Sequence, residues 1–367
     1  VLTGILVTAQ GERAVRQKSA GPVPSEPSLA EKVEFLGRPG THSLTTKDVL
    51  ARETHMSWVF LAGEKVYKLK KPVRFPYLDF STLALREAAC RAELQLNRRL
   101  APDVYLGVLP LVATAQGLSL GGKGTIVDWL VVMHRLEEGE TLEHQIQRGR
   151  VEAWQLDCLA TTLVQFYRRA IPVPLHGMRY LSDWRHNLAY NQKVLLDPRL
   201  GCPAGLVRRV DGVQREFLNR RRQVLERRIR EHRIIDGHGD LRPEHIWLGD
   251  PVKIIDCLEF NPRLRAVDPV DEVAFLSLEC ERLGAAWAGE HVKRRVFRGL
   301  HERQSEELFL FYRCYRATLR ARLAIAHLFE HNPRTPEKWP RLARTYLRMA
   351  AADSVRLERF LKKRTGR

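Results

Sequence analysis

From Ser57 onward, SWVFLAGEKVYKLKK places β-branched and aromatic residues on both sides of a glycine-containing break, which predicts two strands joined by a turn at AGEK. The period then becomes helical in TLALREAACRAELQLNRRLAP (82–102), a predicted helix that stops at Pro102. VYLGVLPLVAT and TIVDWLVVMHRL read as two further strands around the glycine-rich turn AQGLSLGGKG. After EEGETLEH the spacing is helical in VEAWQLDCLATTLVQFYRRA, in the arginine-rich stretch 215–233, in DPVDEVAFLSLECERLG, in SEELFLFYRCYRATLRARLAIAHLF and from Glu337 to Leu361. One β interruption breaks this texture: HIWLGDPVKIID (245–256) predicts two short strands around a Gly249-Asp250 turn. Residues 1–28 contain GPVPSEPS without sustained periodicity and are expected to form a flexible N-terminal arm.

At 367 residues, the chain is long enough for two lobes around a large core, and 44% hydrophobic content excludes a mostly disordered protein. Its six cysteines form no C-x-x-C pair and read as reduced thiols, mostly in the core of a cytoplasmic protein. No apolar run approaches the roughly 20 residues that a membrane span needs, and VLTGILVTAQ lacks the basic flank of a signal peptide. The net charge of +18 would attract polyanions. Much of it sits in 215–233, where Phe217, Leu218, Val224, Leu225 and Ile229 recur at helical spacing. That stretch reads as a solvated helix face, with an acidic partner as the alternative. No nucleic-acid reader motif accompanies the charge, so nucleic-acid binding ranks last.

HGDLRPEHIWL (238–248) concentrates His238, Asp240, Arg242, Glu244 and His245 between two apolar runs. Phosphoryl transfer asks a protein for a lysine on the phosphates, a carboxylate on a divalent metal and a carboxylate facing the nucleophile. Asp240 precedes one strand of the 245–256 hairpin and Asp256 ends the other, so the turn can return both carboxylates to one edge. Two bland readings stand beside this one: Asp240 as a turn aspartate bonding its own backbone, and the Lys68, Lys70 and Lys71 run as a solvated strand end.

HGDLRPEHI resembles the catalytic loop of the aminoglycoside phosphotransferase-like and protein kinase-like family, and IIDCLEF its strand ending in the magnesium-binding Asp. ETHMSWVFLAGEKVYKLKKPV, CRAELQLNRRLAP and FNPRLRAVDPVDEVAFL extend the resemblance over roughly residues 30–330. It implies an α+β, bilobal protein kinase-like fold: an antiparallel-sheet N-lobe with one helix (29–135) and a larger, mainly helical C-lobe (136–367). It also implies an ATP- and Mg²⁺-dependent kinase acting on a small-molecule hydroxyl, with Mn²⁺ as a second metal. Lys68 would hold the nucleotide phosphates and Glu93 would pair with it, Glu87 being the competitor. Met133 and His134 would form the hinge, Asp240 would be the catalytic base, and Arg242 would neutralise the transferred group. Asp256 would bind the metal, and Asp268 or Glu272 would brace the catalytic loop. Some relatives carry an additional C-terminal P-loop kinase domain. The one near-match here, GLSLGGKGT (117–125), has Gly124 in place of the Ser or Thr and leads into a predicted strand.

Two positions depart from the family pattern. The loop THMS has no glycine, so Thr54, Ser57 or backbone amides would have to meet the phosphates. His245 stands where a metal-binding Asn is expected, and imidazole suits Mn or Zn better than Mg. It would either ligate a metal or orient Asp240 or Asp256, with Glu259 as a substitute oxygen ligand. These departures keep a second reading open, a pseudokinase that binds nucleotide or acts as a scaffold. The basic C-lobe argues for a neutral or anionic acceptor rather than an aminoglycoside, met by Arg316 and Arg320 or leaving those two on a solvated face.

Overall fold

The computed structural model describes residues 26–363 apart from 44–45, 76, 303–305 and 330–334, so most of the expected N-terminal arm lies outside the described residues. Helix α1 (Leu29–Leu36) is started by a Ser28/Glu31 capping box. The strands β1 (Val49–Glu53), β2 (Ser57–Ala62) and β3 (Lys65–Lys70) follow, then a two-residue-strand hairpin, β4 (Arg74–Phe75) with β5 (Leu78–Asp79). Helix α2 (Leu83–Asn97) leads to β6 (Tyr105–Thr114), β7 (Gly117–Leu120) and β8 (Thr125–His134). The antiparallel sheet has the order β1-β2-β3-β8-β6-β7. Gly117–Leu120 is thus a strand, where the sequence predicted only turn. Helix α2 ends at Asn97, short of Pro102, because the following residues bond back to Leu96 and Asn97 in tighter turns.

Strand alternation decides what each face of the sheet meets. Phe60, Tyr67, Leu69 and Leu130 pack on one face with α1, whereas Val66, Val131 and Met133 pack on the other with Cys90 of α2. Lys68 and Lys70 share the face of Val66, so β3 aims both at α2. Lys32 of α1 reaches Asp128 of β8 at 2.9 Å, and Arg86 of α2 bonds the other oxygen of that carboxylate at 2.8 Å.

The rest of the chain is mainly helical: α3 (Leu142–Gln147), α4 (Ala153–Arg169), α5 (Gly177–Leu195), α6 (Ala204–Arg220) and α7 (Arg222–Arg230). After β9 (Ile235–Asp236), the hairpin of β10 (Ile246–Trp247) and β11 (Lys253–Ile254) forms as expected. Then come α8 (Pro262–Arg265), β12 (Ala266–Val267), α9 (Pro269–Arg282), α10 (Ala286–Gly299), α11 (Glu306–Ala326) and α12 (Lys338–Lys363). Twelve consecutive residues of α9, Pro269 to Cys280, are buried, making it the central helix of this lobe. All six cysteines are free, and Cys90, Cys257, Cys280 and Cys314 are buried. Among the described residues no helix is long and apolar enough to cross a membrane.

The basic stretch 215–233 is not one helix. It breaks at Arg221, whose guanidinium bonds Glu307 at 3.0 Å, and the redirected α7 buries Arg228. Arg228 forms a two-pronged pair with Asp268, at 2.7 Å for both bonds, and also bonds Glu302. Arg215, Arg220 and Arg222 pair with acids one turn away on their own helices. Much of the charge read as a solvated face, with an acidic partner as the alternative, is therefore matched inside the chain.

Candidate active site

β3, α2 and the segment after β11 converge on five charged side chains. Lys68 Nζ lies 2.8 Å from Glu93 Oε1 and 2.9 Å from Asp256 Oδ1. Glu87, the competitor for Lys68, is bonded instead to Arg91 at 2.8 Å. Burial works against the Lys68 ammonium, but Asp256 and Glu93 outweigh it and hold its pKa well above the ordinary lysine value. Lys68 in turn holds the Asp256 carboxyl far below the usual carboxylate range. The Asp256 side chain is 47% exposed and that of Glu93 only 1%, so the metal candidate faces the cleft while its partner stays in the core.

Asp256 sits at φ 65°, in the left-handed region that an aspartate tolerates better than most residues. Its placement is held by backbone bonds on both sides. The Asp256 N–H donates to the Tyr105 hydroxyl at 3.4 Å, the Cys257 N–H to Asn97 Oδ1 at 2.9 Å, and the Ile255 N–H to the His245 carbonyl at 3.0 Å. Asn97 ends α2, so the helix that carries Glu93 also clasps the backbone next to Asp256.

The loop 238–245 is pinned to α9. Glu272 Oε1 accepts the N–H groups of His238, at 2.9 Å, and Gly239, at 2.5 Å. Gly239 takes φ 87°, and a Cβ there would meet the Leu264 carbonyl at 2.9 Å, so this position requires glycine. Asp268 caps α9 and holds Arg228, while Arg316, buried on α11, forms a two-pronged pair with Asp271 and reaches the Gly239 carbonyl at 3.5 Å. Arg316 thus neither lines a solvated face nor meets an acceptor: α9 packs over it. Arg320 is tied to Glu279 at 3.2 Å.

Within the loop, Arg242 donates through Nε (3.0 Å) to Asp240 Oδ2, with Nη2 in ion-pair contact with the same oxygen at 2.9 Å, and donates through Nη1 to Glu244. Asp240 Oδ1 meets no donor among the described residues. Burial opposes the charge on Asp240, but the positive charge around it, led by Arg242, holds the carboxyl below its ordinary value. The tautomer of His245 follows from its neighbours. Nδ1 faces the Asp240 carbonyl at 2.9 Å, which can only accept, and Nε2 faces Arg242 Nη2 at 3.2 Å, which can only donate. The proton is therefore on Nδ1, and the Nε2 lone pair lies 3.7 Å from Asp256 Oδ2. His245 thus orients the Asp240 loop through Nδ1, and its Nε2, which accepts from Arg242, stands beside Asp256.

The remaining candidates are less free. Ser57 is buried; its N–H donates to Thr54 Oγ1 at 3.0 Å, and its carbonyl accepts from Thr54 Oγ1 at 2.9 Å, which closes the turn without glycine. Met133 packs in the core, the His134 N–H is bonded to the Val104 carbonyl and the Arg135 N–H to the Glu64 carbonyl, each at 2.8 Å. Glu259 does not sit beside Asp256 in the cleft but pairs with Lys70, which is fully buried and also bonds Glu93 Oε2 at 2.7 Å. Among the described residues no cluster of three or more metal-type side chains forms; Asp256 and His245 stand beside each other, 3.7 Å apart. Two ligands with phosphate oxygens and water make up the usual Mg²⁺ set at nucleotide sites. Arg242 and Arg320, the arginines that act on Asp240, are each paired, with Glu244 and Glu279 among their partners.

His238 donates from Nε2 to the Ile255 carbonyl at 2.9 Å, and its Nδ1 accepts the Asp240 N–H at 3.2 Å. Burial lowers its pKa from 6.5 to about 4. Between those values the native state binds fewer protons than the unfolded chain, so stability falls as pH drops through that window. His238→Gln, which can keep both hydrogen bonds, is expected to flatten this acid-side fall in urea midpoints; an unchanged slope would contradict the assignment.

No protein-family profile matches the chain. Uncharacterised proteins of Mycobacterium tuberculosis and Mycobacterium bovis are 31% identical to it over 327 residues, which cover 86% of this chain. The chain spans 59% of the length of these curated relatives. Among solved structures it is similar to a choline/ethanolamine kinase family protein from Mesorhizobium loti, with TM-score 0.53, 16% identity, and 90% of this chain and 96% of that one covered. A choline kinase from Cryptosporidium parvum gives TM-score 0.50 at 10% identity, covering 91% and 97%. At these identities the likeness is one of architecture: the chain shares the bilobal α+β fold of these kinase structures, the fold that HGDLRPEHI and IIDCLEF imply.

Proposed function

We propose that the chain is a phosphotransferase that moves the γ-phosphoryl group of ATP to a hydroxyl of a small metabolite. The observation that carries this reading is the meeting of Lys68, Glu93 and Asp256 within 2.9 Å in the cleft that also holds Asp240. Lys68 would turn from Asp256 to the nucleotide phosphates, while Glu93 keeps its ammonium aimed. Asp256 and His245 Nε2 would hold the divalent metal, which supplies charge neutralisation at the β- and γ-phosphates when bound. Asp240 Oδ1, which meets no donor among the described residues, would accept the hydrogen bond of the acceptor hydroxyl, and the Arg242 guanidinium on Oδ2 keeps that carboxylate charged and aimed. With a nucleotide in place Arg242 would also stand beside the transferred group. The turn closed by Thr54 and Ser57 would cover the phosphates without a glycine-rich lid.

The charge of the C-lobe says less about the acceptor than composition implied, because the arginines that act on Asp240 are paired. A neutral hydroxyl compound, or one carrying both signs, fits a balanced wall of this kind. The choline kinase likeness is a reason to include amino alcohols among the acceptors tried.

Asp240→Ala is expected to lower turnover of a hydroxyl-metabolite mixture by about 100-fold or more while nucleotide affinity is kept. Equal turnover in both proteins contradicts the enzyme reading, and nucleotide binding without turnover by the parent on any acceptor supports the pseudokinase. His245→Asn is expected to keep or raise Mg²⁺-supported turnover, since an amide oxygen is the harder ligand. Its collapse would mean that the imidazole has a task that Asn cannot perform.

A further inference from the structure

We infer that Lys70 is a positioning residue: paired with Glu259 and Glu93, it locks α2 to the segment after Asp256, so that Asp256 stays in place when Lys68 turns to a nucleotide phosphate. This rests on the phosphotransferase reading.

Lys68 and Lys70 are two residues apart on β3 and point to the same side. Glu93 gives one oxygen to each: Oε1 to Lys68 at 2.8 Å, Oε2 to Lys70 at 2.7 Å. The segment after β11 likewise supplies one acid to each, Asp256 to Lys68 and Glu259 to Lys70. The result is a ladder of three carboxylates and two ammoniums that joins β3, α2 and the Asp256–Phe260 segment. Phe260 packs into the same corner with Leu78, Phe80 and Ala89, and Lys70 Nζ lies 4.9 Å from the Phe80 ring centre.

Lys70 cannot reach the cleft, since it is fully buried, and an apolar side chain would fill its place without the cost of desolvating a charge. What its ammonium adds is a link between the two elements whose relative position defines the site. Lys68 now neutralises Glu93 and Asp256 together. Once a phosphate shares Lys68, Asp256 gains a metal, but Glu93 is left in the core with a divided partner. Lys70 keeps Glu93 charged and in place, and through Glu259 keeps the backbone after Asp256 from following Lys68. Without it, Lys68 stays on the carboxylates and the metal finds a looser ligand.

The test uses the full chain. Lys70→Met combined with Glu259→Met replaces the Lys70–Glu259 pair by apolar side chains of similar length but leaves Glu93 to Lys68 alone, so the variant is expected to stay folded with a lower melting temperature than the parent. Mg·ADP affinity by calorimetry is expected to fall about tenfold or more, the range for lost support of a metal ligand. The Mn²⁺ concentration for half-occupancy in the presence of ADP, read by electron paramagnetic resonance, should rise in parallel. Glu259→Gln reads the same quantities without a change of volume, should the double variant melt early. A folded variant with parental Mg·ADP and Mn²⁺ affinities overturns the inference and leaves the phosphotransferase reading standing. A parent that binds no Mg·ADP overturns both.

Discussion

Five charged side chains where the lobes meet, with Lys70, Glu93 and Glu259 drawn out of water, constrain the rest of this fold. A buried ion is tolerated only when opposite charges and hydrogen bonds surround it, so Glu93, 1% exposed, obliges β3 to present lysines on the face of α2. The same need draws Asp256 and Glu259 up from the C-lobe to the sheet. The lobes are thus joined by electrostatics that neither satisfies alone, and the cleft opens where this network reaches solvent, at Asp256. The proposed function assigns this place to phosphate and metal, with the existing Lys68–Asp256 ion pair standing in for that partnership.

Below the network, a second set of bonds fixes the 238–245 loop. Glu272 takes two backbone N–H groups, His238 ties Ile255 to Asp240, and His245 ties the Asp240 carbonyl to the neighbourhood of Asp256. His238 and His245 therefore have different tasks although they lie seven residues apart: one is a buried brace, the other reaches the cleft. Helix α9 is buried along most of its length and so gives this loop a rigid floor, as a site that must hold side chains to fractions of an ångström requires.

Much of this was legible in the chain before its structure. The helix and strand periods located β2, β3, α2 and the 246–254 hairpin, and the motif around Asp240 pointed to the residues that converge. What was not legible shares one physical cause, partners distant in sequence. Lys70 reads as a solvated strand end until the face of β3 that meets α2 is known. Arg316 reads as exposed or acceptor-facing until Asp271 is seen beside it, and the arginines of 215–233 look free until Asp268, Glu302 and Glu307 are placed. Glu259, three residues from Asp256, looked like a spare metal ligand because sequence spacing does not show that the backbone turns it back to Lys70. Asn97 could have been found: a polar residue at the end of an amphipathic helix, in a segment already matched to the family, is a natural clasp.

The central claim is that the Lys68–Glu93–Asp256 cluster is a phosphate and metal site. Solving the complex with Mg²⁺ and a non-hydrolysable ATP analogue tests it most directly. The account predicts Lys68 Nζ on a phosphate oxygen, the metal on Asp256 with His245 Nε2 in or next to its shell, and Lys70 unmoved between Glu93 and Glu259. A nucleotide bound elsewhere, or a Lys68–Asp256 pair that persists intact beneath it, would contradict the account.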